Sequence, residues 1–120
     1  MVSTREIGKI AEGFAKQHLL KLGYTIKETN WQYGHLELDI IAQDGDELVI
    51  VEVKSRNGIR YEHPSEAITN IKIKRVVNAA DAYILENDIE LETRFDVITV
   101  IFFGQKHELE HFKDAFYPTM

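Results

Sequence analysis

The stretch Glu47-Leu48-Val49-Ile50-Val51-Glu52-Val53-Lys54 decides the fold, because it is typical of the central strand of a sheet. Val and Ile dominate it without a regular polar alternation, which indicates a strand buried on both faces. Side chains alternate along a strand, so Glu52 and Lys54 project to the same side as Leu48 and Ile50. Charges on a core strand cost free energy unless an ion pair or a bound metal compensates them. The stretch therefore predicts either a structural ion pair or a metal-dependent site.

A second strand-like run precedes this one and also carries carboxylates among apolar residues. It is Leu36-Glu37-Leu38-Asp39-Ile40-Ile41, and a tight turn at Asp44-Gly45-Asp46 joins the two runs. Because the two strands are predicted to be neighbours, Asp39 and Glu52 are expected to lie close together. Two such carboxylates can share a hard divalent cation, which prefers oxygen ligands. We therefore predict that Asp39 and Glu52 are ligands of Mg²⁺ or Mn²⁺.

Two further side chains belong to the predicted catalytic group, and the role of a third, Glu37, is open. Lys54 lies beside the ligands and is expected to orient water or to neutralise charge in a transition state. Glu12 lies at the rim of the apolar stripe of the first helix, and is the predicted third ligand or water-holding base. Glu37 is expected either to join the site or to face solvent as the partner of a lysine. The group as a whole indicates hydrolysis of a phosphodiester by metal-activated water.

The hydrophobic periodicity predicts the element order α-β-β-β-α-β-β. A capping box at Ser3-Thr4-Arg5-Glu6 opens the first helix, and Gly23 is its predicted C-terminal cap. The predicted strands span residues 24–31, 36–43, 48–54, 93–103 and 107–112. After a polar loop over residues 55–63, Pro64 is expected to begin a second helix that ends near Asn87. The fold class is therefore α/β, a mixed sheet flanked by helices in two or three layers.

The composition predicts one compact domain over residues 1–120. The chain is 44% hydrophobic, which is enough apolar material for a core. It has no cysteine, which suits a reducing cytosol and excludes both disulfides and thiolate metal sites. The N-terminal residues form no apolar segment and the longest apolar runs are strand-sized, so we expect a cytoplasmic protein without a membrane span.

The charge of the chain is unevenly distributed, which matters for a nucleic-acid partner. The net charge is −6, and a basic surface is the usual sign of nucleic-acid binding. However, the first 80 residues carry 11 basic and 11 acidic side chains, whereas the last 40 carry 3 and 9. A basic cluster follows the central strand, and we predict that it binds the phosphates of DNA unless it is only a solvated surface. Its members beyond Lys54 are Arg56, Arg60, Lys72, Lys74 and Arg75.

Two features near this site have competing interpretations. Lys72 shares a helical face with Val76 and Ala79, so we expect it to point toward the sheet, where it could snorkel or reach a phosphate. His107-Glu108-Leu109-Glu110-His111 matches the zinc motif His-Glu-x-x-His, which needs a helix to place both imidazoles on one face. The alternation of this segment instead favours a strand, so a zinc site is not predicted here.

Several motifs together resemble a known family. They are Gly8-Lys9-Ile10-Ala11-Glu12-Gly13-Phe14-Ala15, Asn30-Trp31, Leu36-Glu37-Leu38-Asp39-Ile40-Ile41, Val51-Glu52-Val53-Lys54-Ser55-Arg56 and Arg94-Phe95-Asp96-Val97-Ile98. Over nearly the whole chain the sequence resembles the YraN-like proteins, uncharacterised protein family UPF0102. That family is similar to the archaeal Holliday-junction resolvases of the PD-(D/E)xK nuclease superfamily.

The resemblance implies a restriction-endonuclease-like α-β-β-β-α-β core with a nuclease-like site at Asp39, Glu52 and Lys54. The implied activity is metal-dependent cleavage of DNA, including branched DNA, by a two-fold homodimer, since two symmetric cuts need two sites. Two alternatives remain open from the sequence. One is a module that binds nucleic acid without cutting it, and the other is a cytosolic interaction domain in which the charged residues only stabilise the sheet.

Overall fold

A computed structural model describes residues 3–118 of the chain; residues 1–2 and 119–120 of the predicted domain lie outside the described residues. The elements are α1 (Thr4–Lys21), β1 (Thr25–Tyr33), β2 (Leu36–Asp44), β3 (Glu47–Asn57), a short 3-10 helix (Pro64–Glu66), α2 (Asn70–Glu86), β4 (Glu92–Phe103) and β5 (Lys106–Phe112). This order confirms the predicted α/β class and the predicted succession of helices and strands.

The five strands form one mixed sheet in the order β1-β2-β3-β4-β5. All neighbouring strands are antiparallel except β3 and β4, which run parallel from the pair Glu47↔Glu92 to the pair Asn57↔Phe102. The predicted central strand is therefore β3, and its residues from Leu48 to Glu52 are buried. A two-residue turn with Gly45 at φ 57° connects β2 to β3, as the turn motif predicts.

One helix covers each face of the sheet, so the fold has three layers. Ala11, Ala15 and Leu19 of α1 pack against one face, where a core cluster includes Val49 and Val51 of β3. The other face packs against α2, and its cluster includes Leu48 and Ile50. This division follows from the two-residue period of a strand, which sends successive side chains to opposite faces. Neither helix of residues 3–118 is long and apolar enough to cross a membrane.

The predicted start of the second helix was wrong. The 3-10 helix at Pro64–Glu66 is a single turn, and α2 begins only at Asn70. The side chain of Thr69 accepts a hydrogen bond from the backbone N–H of Lys72 at 3.2 Å, which makes Thr69 the N-cap. Such a cap satisfies an N–H that would otherwise lack a partner in the first turn, so it defines the start of the helix better than the proline does.

The predicted polar loop after the central strand also begins too early. Ser55, Arg56 and Asn57 still belong to β3, because they pair with Val100, Ile101 and Phe102 of the parallel strand β4. The hydrogen-bonding ladder to a strand far along the chain thus overrides the polar composition of these residues.

A buried ionic network holds the β2–β3 turn to β4 on the α1 side. Arg94 donates two hydrogen bonds to Asp96, at 2.9 and 3.0 Å, and further ones to Asp44 at 3.1 Å, Glu47 at 3.0 Å and the hydroxyl of Tyr24 at 2.7 Å. Arg94 is 5% exposed and Asp96 is fully buried. Paired geometry of this kind satisfies charges that would otherwise be costly to bury.

Candidate active site

Asp39 and Glu52 lie where the ladder between β2 and β3 ends. The last pair of the ladder is Ile40↔Val51. Beyond it, the Asp39 carboxylate accepts a hydrogen bond from the backbone N–H of Val53 at 2.9 Å, and the Glu52 carboxylate accepts one from the backbone N–H of Asp39 at 3.3 Å. Each carboxylate thus replaces a missing backbone acceptor on the opposite strand. The two side chains are held against each other across the gap between the strands.

The strand pleat is broken at Asp39, which opens this gap. Leu38 packs in the core on the α2 side, whereas Ile40 packs on the α1 side, although residues two apart normally share a face. On β1, Asn30 has left-handed backbone geometry, with φ 51°, between two residues that pair with Ile40 and Leu38. Left-handed geometry is uncommon in a strand, and asparagine tolerates it better than most residues. The irregularity turns the Asp39 carboxylate into the gap.

Glu52 is a buried carboxylate whose negative charge is only partly balanced by its neighbours. The residue is 1% exposed, and its Oε1 atom has no hydrogen-bond donor among the residues that the structure describes. Lys72 Nζ lies 3.3 Å from this oxygen and forms an ion pair with it, but the direction of approach does not make a hydrogen bond. Burial, and after it the charge of Asp39, raises the pKa of Glu52 well above its usual range. A divalent cation beside Lys72 would offset both effects further.

The pKa values of the other two predicted acids are also raised. Burial is the main cause for Asp39, and the Val53 N–H and the Lys72 ammonium partly offset it. For Glu12, burial and then the charge of Asp39 raise the pKa. Lys54 favours the charged form of Asp39 more weakly than Lys72 does. Three carboxylates therefore share a region where ionising all of them is unfavourable, a common property of functional sites.

Asn30 ties Glu12 of α1 to Glu37 of β2. With its carboxamide nitrogen directed at the two acceptors, Asn30 donates to Glu12 Oε2 at 3.2 Å and to Glu37 Oε1 at 2.9 Å. This bridge brings Glu37 to the group instead of leaving it in solvent. The sequence reasoning missed the role of Asn30, although an asparagine within an otherwise extended run was a usable signal of left-handed backbone.

The predicted phosphate-binding residues divide into two sets. Three of them already have partners: the Arg56 guanidinium lies 4.6 Å above the Tyr61 ring, Arg60 pairs with Glu108, and Lys72 pairs with Glu52. Lys74 and Arg75 are exposed on α2. The prediction that Lys72 points toward the sheet is confirmed, and its contact is with the buried carboxylate.

The two histidines of the zinc-like motif lie on β5, as the alternation of that segment predicts. His107 stacks on Phe14, with ring centroids 3.7 Å apart. His111 lies 2.7 Å from Asp96 and 3.1 Å from the ring nitrogen of His18. Sequence spacing gave no sign of the pair formed by His18 and His111, because they come from α1 and β5.

The carboxylate oxygens of this group suit a divalent cation, but the described side chains do not supply three ligands. Carboxylate oxygens are the ligands that Mg²⁺ and Mn²⁺ prefer, and Glu52 Oε1 is a buried oxygen that accepts no hydrogen bond from the described residues. Within residues 3–118, however, no three His, Cys, Asp or Glu side chains converge closely enough to hold a metal by themselves. Mg²⁺ commonly binds to one or two carboxylates and completes its shell with water and substrate phosphates. Asp39 and Glu52 could serve as such a pair.

The fold and the site define an α/β domain with a three-layer architecture and a pair of carboxylates at a break in its sheet. Residues 11–100 match the model of the uncharacterised protein family UPF0102. The chain is 46% identical to a UPF0102 protein of Bacteroides thetaiotaomicron, over 100% of this chain and 99% of that protein. It is 43% identical to one of Flavobacterium psychrophilum, over 98% of each chain. The chain belongs to family UPF0102.

Proposed function

We propose that this protein is a metal-dependent endonuclease that hydrolyses phosphodiester bonds in DNA. The observation that carries the proposal is the contact between Asp39 and Glu52 beside the ion pair of Glu52 with Lys72. A carboxylate pair with raised pKa values, of which Glu52 is fully buried, is costly for stability even beside a lysine, and costs of this kind concentrate at functional sites.

Asp39 and Glu52 would hold Mg²⁺ or Mn²⁺, with Glu12 as a further ligand or as a base. Such an ion, when bound, lowers the pKa of water and stabilises charge on phosphate oxygens. The residues of the chain would do the rest. The Lys72 ammonium favours the ionised form of Glu52 against the effect of burial, and Lys54 adds positive charge near Asp39. The raised pKa of Glu12 makes its carboxylate a stronger proton acceptor than an ordinary glutamate.

Support for a nucleic-acid substrate comes from cations on the two elements that carry Lys72 and Glu52. Lys74 and Arg75 are exposed on the same helix as Lys72, and Arg56 lies two residues after Lys54 on β3. Cations on these elements would neutralise phosphates on either side of a scissile bond. The acidic excess of the chain lies in its last 40 residues, which include β4 and β5.

One observation favours a second candidate, a module that binds nucleic acid without cleaving it. Within the described residues, no group of three metal-binding side chains is assembled. If the carboxylates bind metal too weakly for catalysis, the exposed cations would still attract a phosphate backbone.

A cleavage assay separates the two candidates. Labelled linear and four-way branched DNA are incubated with the protein and Mg²⁺ or Mn²⁺, and with Asp39→Asn, Glu52→Gln and the control Glu86→Gln, which changes an exposed carboxylate of α2. We expect cutting by the unchanged protein and by the control, and a loss of at least 100-fold in the two site variants. Binding without cutting under every metal condition would favour the second candidate, and neither binding nor cutting would overturn both.

A further inference from the structure

One face of α1 carries three cations that flank Glu12 and that the site as described does not use. Arg5, Lys9, Glu12 and Lys16 follow one another at intervals of four, three and four residues. Residues at such intervals lie on the same face of a helix. Arg5, Lys9 and Lys16 are exposed. Positive charges thus line α1 on both sides of a carboxylate that belongs to the candidate active site.

This face borders two adjoining cavities between α1 and the β1–β2 pair, which we call the α1 groove. The larger, about 470 Å³, is lined by Arg5, Gly8, Lys9, Glu12, Asn30, Gln32 and Glu37. The smaller, about 220 Å³, is lined by residues that include Lys16 and Asp39. The two cavities share Lys9, Glu12 and Asn30, so they adjoin along α1, and the smaller one reaches Asp39, a proposed metal ligand.

Two glycines in the groove point independently to a ligand. Gly8 and Gly13 lie inside α1, where glycine is less favourable than alanine because it loses more backbone freedom on folding. A Cβ atom added at either position would meet nothing within 4 Å, so the rest of the protein gives no reason for their small size. Each glycine lines one of the two cavities. A helix surface that has no side chains at two positions and has cations beside them allows the close approach of a phosphate backbone.

We propose that the α1 groove binds the sugar–phosphate backbone of one nucleic-acid strand and leads it to Asp39. Lys9 and Lys16 contact phosphates on either side of Glu12, and Gly8 and Gly13 let the backbone approach the helix. This inference rests on the proposed function, and it assigns one strand of the substrate to α1 in addition to the phosphate contacts proposed for the cations of α2. Of the three carboxylates that line the groove, Glu12 and Glu37 share a donor in Asn30, which limits their repulsion of phosphate, and Asp39 is the proposed metal ligand at which the path ends.

The salt dependence of oligonucleotide binding tests whether Lys9 and Lys16 contact phosphates. Affinity for a labelled single-stranded oligonucleotide is measured over a series of salt concentrations, with Ca²⁺ present and the oligonucleotide shown to be intact on a gel. We expect the double variant Lys9→Ala/Lys16→Ala to reduce the slope of log affinity against log salt by about 1.4, since each phosphate contact on a single strand contributes roughly 0.7. The matched control Lys21→Ala/Lys106→Ala removes the same charge elsewhere and should leave the slope unchanged.

The glycines provide a test that a folding defect cannot imitate. Gly13→Ala should raise the melting temperature by roughly 4 °C, because alanine favours the helix. The same variant should bind the oligonucleotide at least fivefold more weakly, whereas Gln17→Ala on the same helix should bind as the unchanged protein does.

The outcomes distinguish a failure of the proposed α1 path from a failure of the proposed function. Suppose that the α1 variants change neither the salt slope nor the affinity, whereas changing both Lys74 and Arg75 to alanine lowers them. That result would overturn the α1 path and leave the proposed function standing. If the unchanged protein shows no salt-dependent binding, both proposals fail.

Discussion

Lys72 Nζ lies 3.3 Å from Glu52 Oε1, so the buried carboxylate of the central strand draws its counter-charge from the second helix. Lys54, on the same strand as Glu52, has its effect on Asp39 instead. The site therefore depends on the packing of α2 against the sheet as much as on the two strands. This relationship has direct consequences for stability.

Removing the Lys72 ammonium should destabilise the protein in a pH-dependent way. We expect Lys72→Met to lower the free energy of unfolding by about 1–2 kcal/mol above neutral pH, because Glu52 is left buried without its cation. The loss should shrink at acidic pH, where Glu52 is protonated. Denaturant unfolding at several pH values measures both effects. Lys74→Met, which changes an exposed lysine of the same helix, is the control, and equal losses in the two variants would contradict the prediction.

The raised pKa of Glu52 has a defined sign for stability. Its folded pKa lies above its unfolded value, so between the two the native state binds more protons and the free energy of unfolding falls as pH rises. Below the unfolded pKa this penalty is absent. Glu52→Gln should remove the decline, so its advantage over the unchanged protein should grow from pH 4 through neutrality. Glu86→Gln, at an exposed position, should show no such trend, and a parallel pH profile for both variants would count against the argument.

Divalent metal should stabilise the unchanged protein through Asp39 and Glu52. At 100-fold excess of Mg²⁺ or Mn²⁺ over the dissociation constant, the gain is about 2.7 kcal/mol. Asp39→Asn should lose most of this gain, yet be more stable without metal because repulsion with Glu52 is relieved. Thermal unfolding with and without metal measures both changes. The control is Asp81→Asn on the exposed side of α2, and equal metal-induced shifts in Asp39→Asn and the control would exclude the pair as ligands.

Asn30 allows its backbone and side-chain roles to be separated. Asn30→Gly should keep the left-handed backbone and most of the stability, whereas Asn30→Val should lose about 1–2 kcal/mol, since a β-branched residue is strained there. In both variants Glu12 loses a hydrogen bond that favours its charged form, so its pKa should rise further. Carbon-detected NMR titration of Glu12 tests this expectation. A Glu12 pKa that does not change in Asn30→Gly would argue against the bridge.

The network around Arg94 should matter for stability far more than a surface arginine does. Arg94→Met leaves Asp96 buried without its bidentate partner, and we expect a loss of about 3–5 kcal/mol. Arg75→Met, at an exposed position, should change stability by less than about 0.5 kcal/mol. Chemical denaturation of the two variants provides the comparison. A loss below about 1 kcal/mol for Arg94→Met would mean that the network is energetically neutral.

The sequence predicted those parts of the molecule that depend on local signals. The run from Glu47 to Lys54 is apolar on both faces, and its central place in the sheet follows from that pattern. A turn of two residues joins β2 to β3, so the proximity of Asp39 and Glu52 could be anticipated. The capping box at Ser3 likewise predicted the start of α1 because all its contacts are within one turn.

The parts that the sequence did not predict depend on contacts between distant segments. The extension of β3 to Asn57 requires β4, and the start of α2 depends on the cap at Thr69, which competes with an equally reasonable signal at Pro64. The broken pleat at Asp39 cannot be read from a pattern that assumes strict alternation. The network of Arg94 joins residues from four strands and the α1–β1 junction, and no local spacing reveals it.

The exchange of hydrogen bonds at the end of the β2–β3 ladder gives the molecule two built-in spectroscopic reporters. The amide proton of Val53 points at the Asp39 carboxylate, and that of Asp39 points at the Glu52 carboxylate. An amide proton held by a carboxylate shifts in frequency when that carboxylate gains a proton or a cation. The amide peak of Val53 would therefore report on Asp39, and that of Asp39 on Glu52. Neither acid would need a substitution or an attached probe.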